Sequence, residues 1–328
     1  MRVIEIEGGS GPAEALRIAE RPDLQVGPGE IRIRIRAAGV NRPDLLQRVG
    51  GYPPPPGASD VMGLEVAGEV DLVGPVPAGA PAPRWKVGDR VCALLAGGGY
   101  ADHAVVDARH ALPVPDSLDF VQAAALPETV FTVFANVFEA GALKAGETLL
   151  IHGATSGIGV TAIQMAKATG ARVIATSRGP AKTAAALTLG ADISLDATAV
   201  DLSTAIAEAG GADVILDMVG AAYAETNLRA LKTGGRWVVI ATLSGGLAQV
   251  DLMRIMLKQA TLTGSTLRRR SADEKARLAA VIEARVWPWV ASGAVRPPVE
   301  ATFDLAETKL AHLRLEAGEH VGKIVLTV

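Results

Sequence analysis

Residues 148 to 178, TLLIHGATSGIGVTAIQMAKATGARVIATSR, constrain the fold more than any other stretch. Leu149 to Ile151 is an apolar run short enough for a buried strand, and Gly153, Gly157 and Gly159 follow as a glycine turn. Val160, Ile163, Gln164 and Lys167 then fall at helical spacing, with apolar residues on one side. Gly170 closes that helix, and Arg172 to Thr176 reads as a second buried strand. This is a βαβ unit with its glycines where strand becomes helix. Such a turn lets the chain approach a pyrophosphate closely and aims the free N–H groups of the helix start at it. The spacing is G-x-x-x-G-x-G and not G-x-G-x-x-G, so the pattern alone is weak. The strands on both sides make it specific, and a dinucleotide site is expected here rather than a tight turn without a ligand.

The end of the second strand bears on which dinucleotide. A site for NAD usually has Asp or Glu about 20 residues past the glycines, to bind the ribose 2′-hydroxyl. Here Thr176, Ser177 and Arg178 stand in that region, followed by Lys182, with no carboxylate among them. A hydroxyl and two cations suit a 2′-phosphate, because charge-assisted bonds to phosphate are strong. Ser177, Arg178 and Lys182 are therefore expected to select NADPH.

At 328 residues the chain has length for two domains with large cores. A hydrophobic content of 49% with 20% charged residues describes a soluble globular protein. A net charge of −3 supplies no drive toward nucleic acid or an anionic membrane, and neither is expected as a partner. Cys92 is the only cysteine, which excludes internal disulfides and cysteine-cluster zinc sites and fits a reducing compartment. The first residues, MRVIEIEGG, read as a strand and not as a signal peptide. No apolar run approaches the roughly 20 residues of a membrane span, so a cytoplasmic protein is expected.

Residues 1 to 125 are rich in Gly, Pro and short strand patterns. Glu30 to Arg36 alternates strictly, the period of a half-buried strand. Further strands are expected at Glu65 to Leu72 and after the Lys86–Asp89 turn, and Pro75 to Pro83 reads as a surface loop. From about residue 126 helices and strands alternate, the signature of an open parallel sheet. Helices are expected at Phe131 to Glu139 and Ala181 to Leu189; strands at Val214 to Asp217, Trp237 to Ala241 and residues 260 to 267. A long helix is expected from Ala272 to about Val290. Phe303 and Lys323 to Val328 read as strands rejoining the first domain. The expected domains are thus 1–125, 126–268 and a return over 269–328, with the nucleotide domain inserted in the β-rich one.

Several stretches together carry a family resemblance. They are GVNRPDLLQRVGGYPPPPGAS (39 to 59), MGLEVAGEV (62 to 70), GDRVCALLAGGGYADH (88 to 103), IHGATSGIG, GSTLRRR (264 to 270) and GKIVL (322 to 326). In that order the chain resembles the zinc-free quinone oxidoreductase branch of the medium-chain dehydrogenase/reductase superfamily over essentially its whole length. The resemblance implies an α/β fold, with a Rossmann-type parallel sheet domain inserted in a β-rich GroES-like catalytic domain. Zinc-dependent relatives carry a cysteine ligand where Asn41 stands and Gly-His-Glu where Gly63-Leu64-Glu65 stands. Leucine cannot ligate zinc, and a lone Asn or Glu makes a poor site, so no metal is expected.

The resemblance also implies a site in a cleft between the domains. Asn41, Asp44, Gln47 and Tyr52 would bind the substrate, with Tyr52 and Asn41 as hydrogen-bond donors to a developing oxyanion. Ser156, Gly157 and Ile158 would take the pyrophosphate. Thr132, expected at a helix start, and Val219, Gly220, Thr242 and Leu243 would line the nicotinamide half. Leu267, Arg268 and Lys323 would close the cofactor site. His152 is expected to be structural, and Cys92 a core residue.

The implied activity is NADPH-dependent, zinc-independent quinone reduction. Reduction of an enone or enoyl double bond is the alternative. From another class, an NADPH-binding accessory protein with little turnover is suggested only by Arg268-Arg269-Arg270. A short-chain dehydrogenase is rejected, because none of the tyrosines at 52, 100 and 223 has lysine four residues on. Residues 260 to 267 form a short, uncharged, Thr- and Leu-rich strand expected at a sheet edge. Such an edge tends to pair with another chain, so a homodimer is expected.

Overall fold

A computed structural model of the chain describes residues 1–76, 79 and 82–328. Pro77, Ala78, Ala80 and Pro81 of the expected Pro75–Pro83 loop lie outside the described residues. The chain forms two compact units. One comprises Met1–Phe131, Arg268–Ala291 and Pro297–Val328; the other comprises Thr132–Leu267 with Ser292–Arg296. The chain passes between the units at 131/132 and 267/268, where 125/126 and 268/269 were expected, and again at 291/292 and 296/297.

The second unit is built on a six-stranded, all-parallel sheet. Its spatial order is Ile193–Asp196, Arg172–Ser177, Thr148–His152, Ala212–Asp217, Leu231–Val239 and Thr261–Gly264. The first strand in sequence lies inside the sheet. The chain winds outward to one edge, returns to the centre at Ala212 and winds to the other edge. Such a reversal opens a crevice at the carboxyl ends of the two central strands, where ligands bind in sheets of this kind. Leu149, Leu150, Ile151, Val214, Ile215 and Leu216 are fully buried, as strands covered on both faces require. Leu150, Ile174, Ile206, Ile215 and Trp237 pack into one core.

Boundaries shift where local pattern meets tertiary pairing. The strand expected at Trp237 to Ala241 runs from Leu231 to Val239, and the one expected at 260 to 267 is Thr261–Gly264. The helix expected from Phe131 starts at Pro127 and passes at Phe134 into a π-helical run ending at Ala140. Proline at a first helical position is favoured because its missing N–H has no helical partner to lose. With the short helix before it, the run Phe120–Ala140 is long and apolar enough to cross a membrane, contrary to the reading that no such stretch exists. Its most apolar window is 72% buried within the protein, which accounts for its composition.

The first unit is β-rich. Glu30–Val40 is central to a sheet ordered Val299–Asp304, Lys323–Thr327, Glu30–Val40, Glu65–Val73, Arg90–Leu94 and Ala111–Pro113. Its alternation is realised as read: Ile31, Ile33 and Ile35 are buried, while Arg34 and Arg36 are exposed and pair with Glu69. Cys92 is a buried core residue of the strand Arg90–Leu94. The two final strands complete this sheet, Lys323–Thr327 pairing directly with Glu30–Val40. The helix expected over Ala272 to Val290 is two helices, Ala272–Arg285 and Trp287–Ala291, interrupted at Val286.

Candidate functional sites: the glycine turn and a buried polar cluster

The glycine turn packs as its sequence requires. Gly153 adopts φ +68°, a left-handed conformation that favours glycine. A Cβ on Gly159 would lie 2.4 Å from the Gly153 carbonyl oxygen, so the helix approaches the strand end as closely as only glycine permits. Ser156 caps the helix Gly157–Ala168: its Oγ accepts from the Gly159 N–H (3.0 Å) and donates to the Gly153 carbonyl (2.8 Å). The N–H groups of Gly157 and Ile158 lie in the first turn, with no helical carbonyl one turn back. This end of the helix is a built cradle for a pyrophosphate, and NADPH fits it.

At the end of the next strand, Ser177 is buried, its Oγ 3.2 Å from Thr183 Oγ1. Arg178 is exposed, and Lys182 is partly buried in the helix Pro180–Thr188. The absence of a carboxylate read from the local sequence needs correction. Asp196, on the neighbouring strand, stands opposite Ser177 in the parallel ladder. Its Oδ1 accepts from the N–H groups of Gly179 and Thr198 (2.9 Å each) and from Thr198 Oγ1 (2.7 Å). Those bonds hold its pKa below the ordinary carboxylate value and commit one oxygen to the loop. Only strand pairing brings it there, although an acid closing the next strand pattern, ISLD, was a visible signal.

A relay of hydrogen bonds locks the neighbouring loops. Asp217, fully buried, accepts from the N–H groups of Val219 (2.7 Å) and Gly220 (3.1 Å) and from the side chains of Asn227 (2.9 Å) and Trp237 (3.0 Å). Asn227 Oδ1 lies 2.6 Å from His152 Nε2, and His152 Nδ1 lies 2.9 Å from Thr176 Oγ1. Burial lowers the pKa of His152, which acts as a strut between strands. A Cβ on Gly220 would lie 2.9 Å from Thr242 Cα, so the Val219–Gly220 and Thr242–Leu243 loops lie against each other. Thr242 and Leu243 are exposed. Thr132 is buried near the C-terminal end of the helix Pro127–Val133, not at a helix start as expected, because the helix begins at Pro127. Leu267 is buried in the same unit.

The β-rich unit contains a buried polar cluster. Lys323 Nζ donates to Asn41 Oδ1 and Glu65 Oε1 (2.6 Å each), and Asn41 Nδ2 donates to the same Glu65 oxygen (2.8 Å). The other Glu65 oxygen accepts the Glu128 N–H (2.8 Å). Glu65 is fully buried, and Lys323 and Asn41 nearly so. Asp44 accepts from the N–H groups of Asn41 (2.8 Å) and Gly63 (3.3 Å) and from Tyr100 Oη (3.0 Å); burial pushes it up to about 6. Behind Tyr100 stand His312 (3.3 Å) and Arg48, and burial together with Arg48 brings His312 down to about 3. Glu128 as a residue is only partly covered, but burial of its carboxyl and the charge of Glu65 push it up to about 8.

Arg268 organises a second layer. Its guanidinium stands 5.1 Å from the centre of the Tyr52 ring and donates to Gln47 Oε1 (2.9 Å) and to the carbonyls of Ala96 (2.8 Å) and Tyr52 (3.1 Å). Gln47 in turn donates to the Asp60 carbonyl (2.9 Å). Arg268 and Lys323, expected against the cofactor, have these donors engaged within the β-rich unit. The Asn41 amide, expected as a donor, is engaged by Glu65 and Lys323. The Tyr52 hydroxyl makes no hydrogen bond among the described residues, and burial raises its pKa. Glu65, Glu128, Tyr100 and His312 were not among the expected site residues. Pro127-Glu128 was legible as a helix start with an acid in its first turn.

Two family models match the chain: Alcohol dehydrogenase GroES-like domain over residues 27–116, and Zinc-binding dehydrogenase over residues 157–284. The chain is 32% identical to the quinone oxidoreductase of Pseudomonas aeruginosa over 96% of each protein. It is 35% identical to the polyketide synthase GfsB of Streptomyces halstedii over 92% of this chain, but spans only 5% of that protein's length. Among solved structures, the Escherichia coli quinone oxidoreductase complexed with NADPH superposes with a TM-score of 0.86 at 29% identity, covering 100% of both chains.

Proposed function

The chain belongs to the medium-chain dehydrogenase/reductase superfamily, alongside the quinone oxidoreductases, and from that premise we propose that it reduces quinones with NADPH. The observation that carries this reading is the capped helix start at Ser156–Ile158, set beside a strand that ends at Ser177 with Arg178 following it. The first-turn amides bind the pyrophosphate, and Ser177, Arg178 and Lys182 take the 2′-phosphate. Val219 and Gly220, fixed by Asp217, present a rigid loop at the carboxyl end of the sheet. When bound, NADPH supplies the hydride. Tyr52 offers its hydroxyl to the oxygen that gains charge, held by the Arg268 guanidinium on its ring.

The reaction is zinc-independent. Where a metal would need ligands, Leu64 is apolar and Asn41 and Glu65 are bonded to the Lys323 ammonium, which already provides the positive charge. The protein is a homodimer. Among the described residues Thr261–Gly264 is an edge strand paired with Leu231–Val239 alone, and Gly264, in the middle of the strand expected over 260 to 267, ends it. The helix before it, Leu252–Lys258, exposes Leu252, Met253, Met256 and Leu257 by 59% to 76%. Apolar side chains at that density beside an open strand edge support an isologous contact.

A second reading, reduction of the double bond of an enone or enoyl ester, is favoured by the identity with a polyketide synthase segment, since polyketides are carbonyl-bearing chains. An NADPH-oxidation screen with ortho-quinones, para-quinones and enones side by side separates the two. Turnover with quinones above enones is the expected result, and turnover with enones alone replaces it with the second reading.

A further inference from the structure

We propose that Asp196 sets how far the protein prefers NADPH over NADH. One of its oxygens holds the loop that meets the 2′-phosphate; the other disfavours that phosphate and accepts from a free ribose hydroxyl in its place. The inference rests on the reading that Ser177, Arg178 and Lys182 meet the 2′ end of the cofactor, and all its residues belong to the unit built on the parallel sheet.

The backbone puts Asp196 there. Ile193–Asp196 is the outermost strand on its side of the sheet and pairs in parallel with Arg172–Ser177, so both strands end side by side, Asp196 opposite Ser177. Neighbouring strands run about 4.8 Å apart. Just past these ends the chains stay joined, the Ala197 N–H donating to the Ser177 carbonyl (2.8 Å). Asp196 Oδ1 accepts the Gly179 N–H (2.9 Å), which fastens the residue after Arg178. Gly179 in turn leads into the helix Pro180–Thr188, which carries Lys182. One carboxylate oxygen thus fixes the path that runs from Ser177 to Lys182.

The second oxygen gives the residue a further role, as a comparison within the same sheet shows. Asp217 also closes a strand and ties down the loop beyond it, but both of its oxygens are engaged. Oδ1 accepts from the N–H groups of Val219 and Gly220, and Oδ2 from the side chains of Asn227 and Trp237. At Asp196 the bonds from Gly179, the Thr198 N–H and Thr198 Oγ1 all go to Oδ1. Among the described residues Oδ2 accepts none, and Asp196 is partly exposed where Asp217 is fully buried. The same bonds, that of the Thr198 hydroxyl first, hold the pKa of Asp196 below the ordinary carboxylate value, so it is charged at pH 7.

A charged oxygen with unused lone pairs does opposite things to the two cofactors. Toward NADPH it is a like charge beside the 2′-phosphate, working against Arg178 and Lys182. Toward NADH it is the acceptor that a ribose hydroxyl needs, the part an acid at the end of the second strand plays in NAD sites. Here the neighbouring strand supplies it. Two cations against one carboxylate keep NADPH preferred, and the carboxylate keeps NADH usable.

The test is fluorescence titration of NADPH and NADH against wild type, Asp196→Asn and Asp196→Ala. Asparagine separates the two roles. Its carbonyl oxygen still accepts from Gly179 and Thr198, which leaves its NH2 where Oδ2 stood, a donor to phosphate and no acceptor for a hydroxyl. Asp196→Asn should tighten NADPH about threefold and weaken NADH about threefold, moving the ratio of dissociation constants about tenfold toward NADPH. Asp196→Ala loses the loop anchor as well, so it should bind NADPH more weakly than Asp196→Asn does. The wild type should bind NADH measurably at millimolar concentration. No such binding overturns the proposal, and that measurement needs no variant to fold. An Asp196→Asn ratio within twofold of wild type, or weaker NADPH binding by that variant, overturns it as well. None of these results touches the assignment of the 2′-phosphate to Arg178. That assignment fails separately if Arg178→Ala binds NADPH as tightly as the wild type, and the proposal falls with it.

Discussion

Arg178 and Asp44 show two ways a single side chain acts, through a ligand and through its own burial. Arg178 is exposed at the end of the strand Arg172–Ser177. A charge-assisted contact to the 2′-phosphate is worth about 1.5–3 kcal/mol. Arg178→Ala should therefore raise the NADPH dissociation constant at least tenfold and leave NADH binding nearly unchanged, measured by fluorescence titration of both cofactors. Asp44 acts through stability. Its folded pKa of about 6 lies above its ordinary value of 3.8, so its protonated form favours folding. That contribution is fully present below about pH 4 and is lost as pH rises through about 6. Asp44→Asn should remove this dependence, so the stability gap between wild type and variant should shift in the variant's favour by roughly 1.4 kcal/mol per pH unit across that window. Urea midpoints measured from pH 4 to 7 test it.

At the scale of elements, the decisive feature of the parallel sheet is its edge. A parallel edge strand beside a helix exposing Leu252, Met253, Met256 and Leu257 has apolar surface to bury against a second copy. Met253→Glu with Leu257→Glu should dissociate the dimer without unfolding the subunit, because both side chains are mostly exposed within one chain. Light scattering at micromolar concentration should give a dimer mass for the wild type and a monomer mass for the variant. A monomer mass for the wild type would refute the dimer. Element boundaries follow the same competition between local pattern and tertiary pairing. The helix over Ala272 to Arg285 stops short of its expected end, and the helix expected over Phe131 to Glu139 is π-helical from Phe134 to Ala140.

At the scale of the whole molecule, the proposed zinc independence rests on a cluster in the β-rich unit. The Lys323 ammonium bridges Asn41 and Glu65 in the β-rich unit, bringing the last strand of the chain against residues more than 250 positions earlier. Activity should survive dialysis against a strong chelator, and elemental analysis of the purified protein should find no stoichiometric zinc. Activity lost to EDTA and restored by zinc would overturn the argument.

The glycine turn, the alternating strand Glu30–Val40 and the βαβ order were legible in the sequence because each is a short-range pattern imposed by backbone geometry. Periodicity decides which face is buried, and Gly153 and Gly159 stand where a side chain would be strained or would collide. Long-range proximity has no such pattern. Asp196 reaches Ser177 only because their strands pair, and Glu128 meets Glu65 only because Pro127 starts a helix beside a strand 63 residues earlier in the chain. Charge in a folded protein depends on burial and on neighbours, so an acid near pH 8 at Glu128 and a spent ammonium at Lys323 were decided by tertiary structure alone.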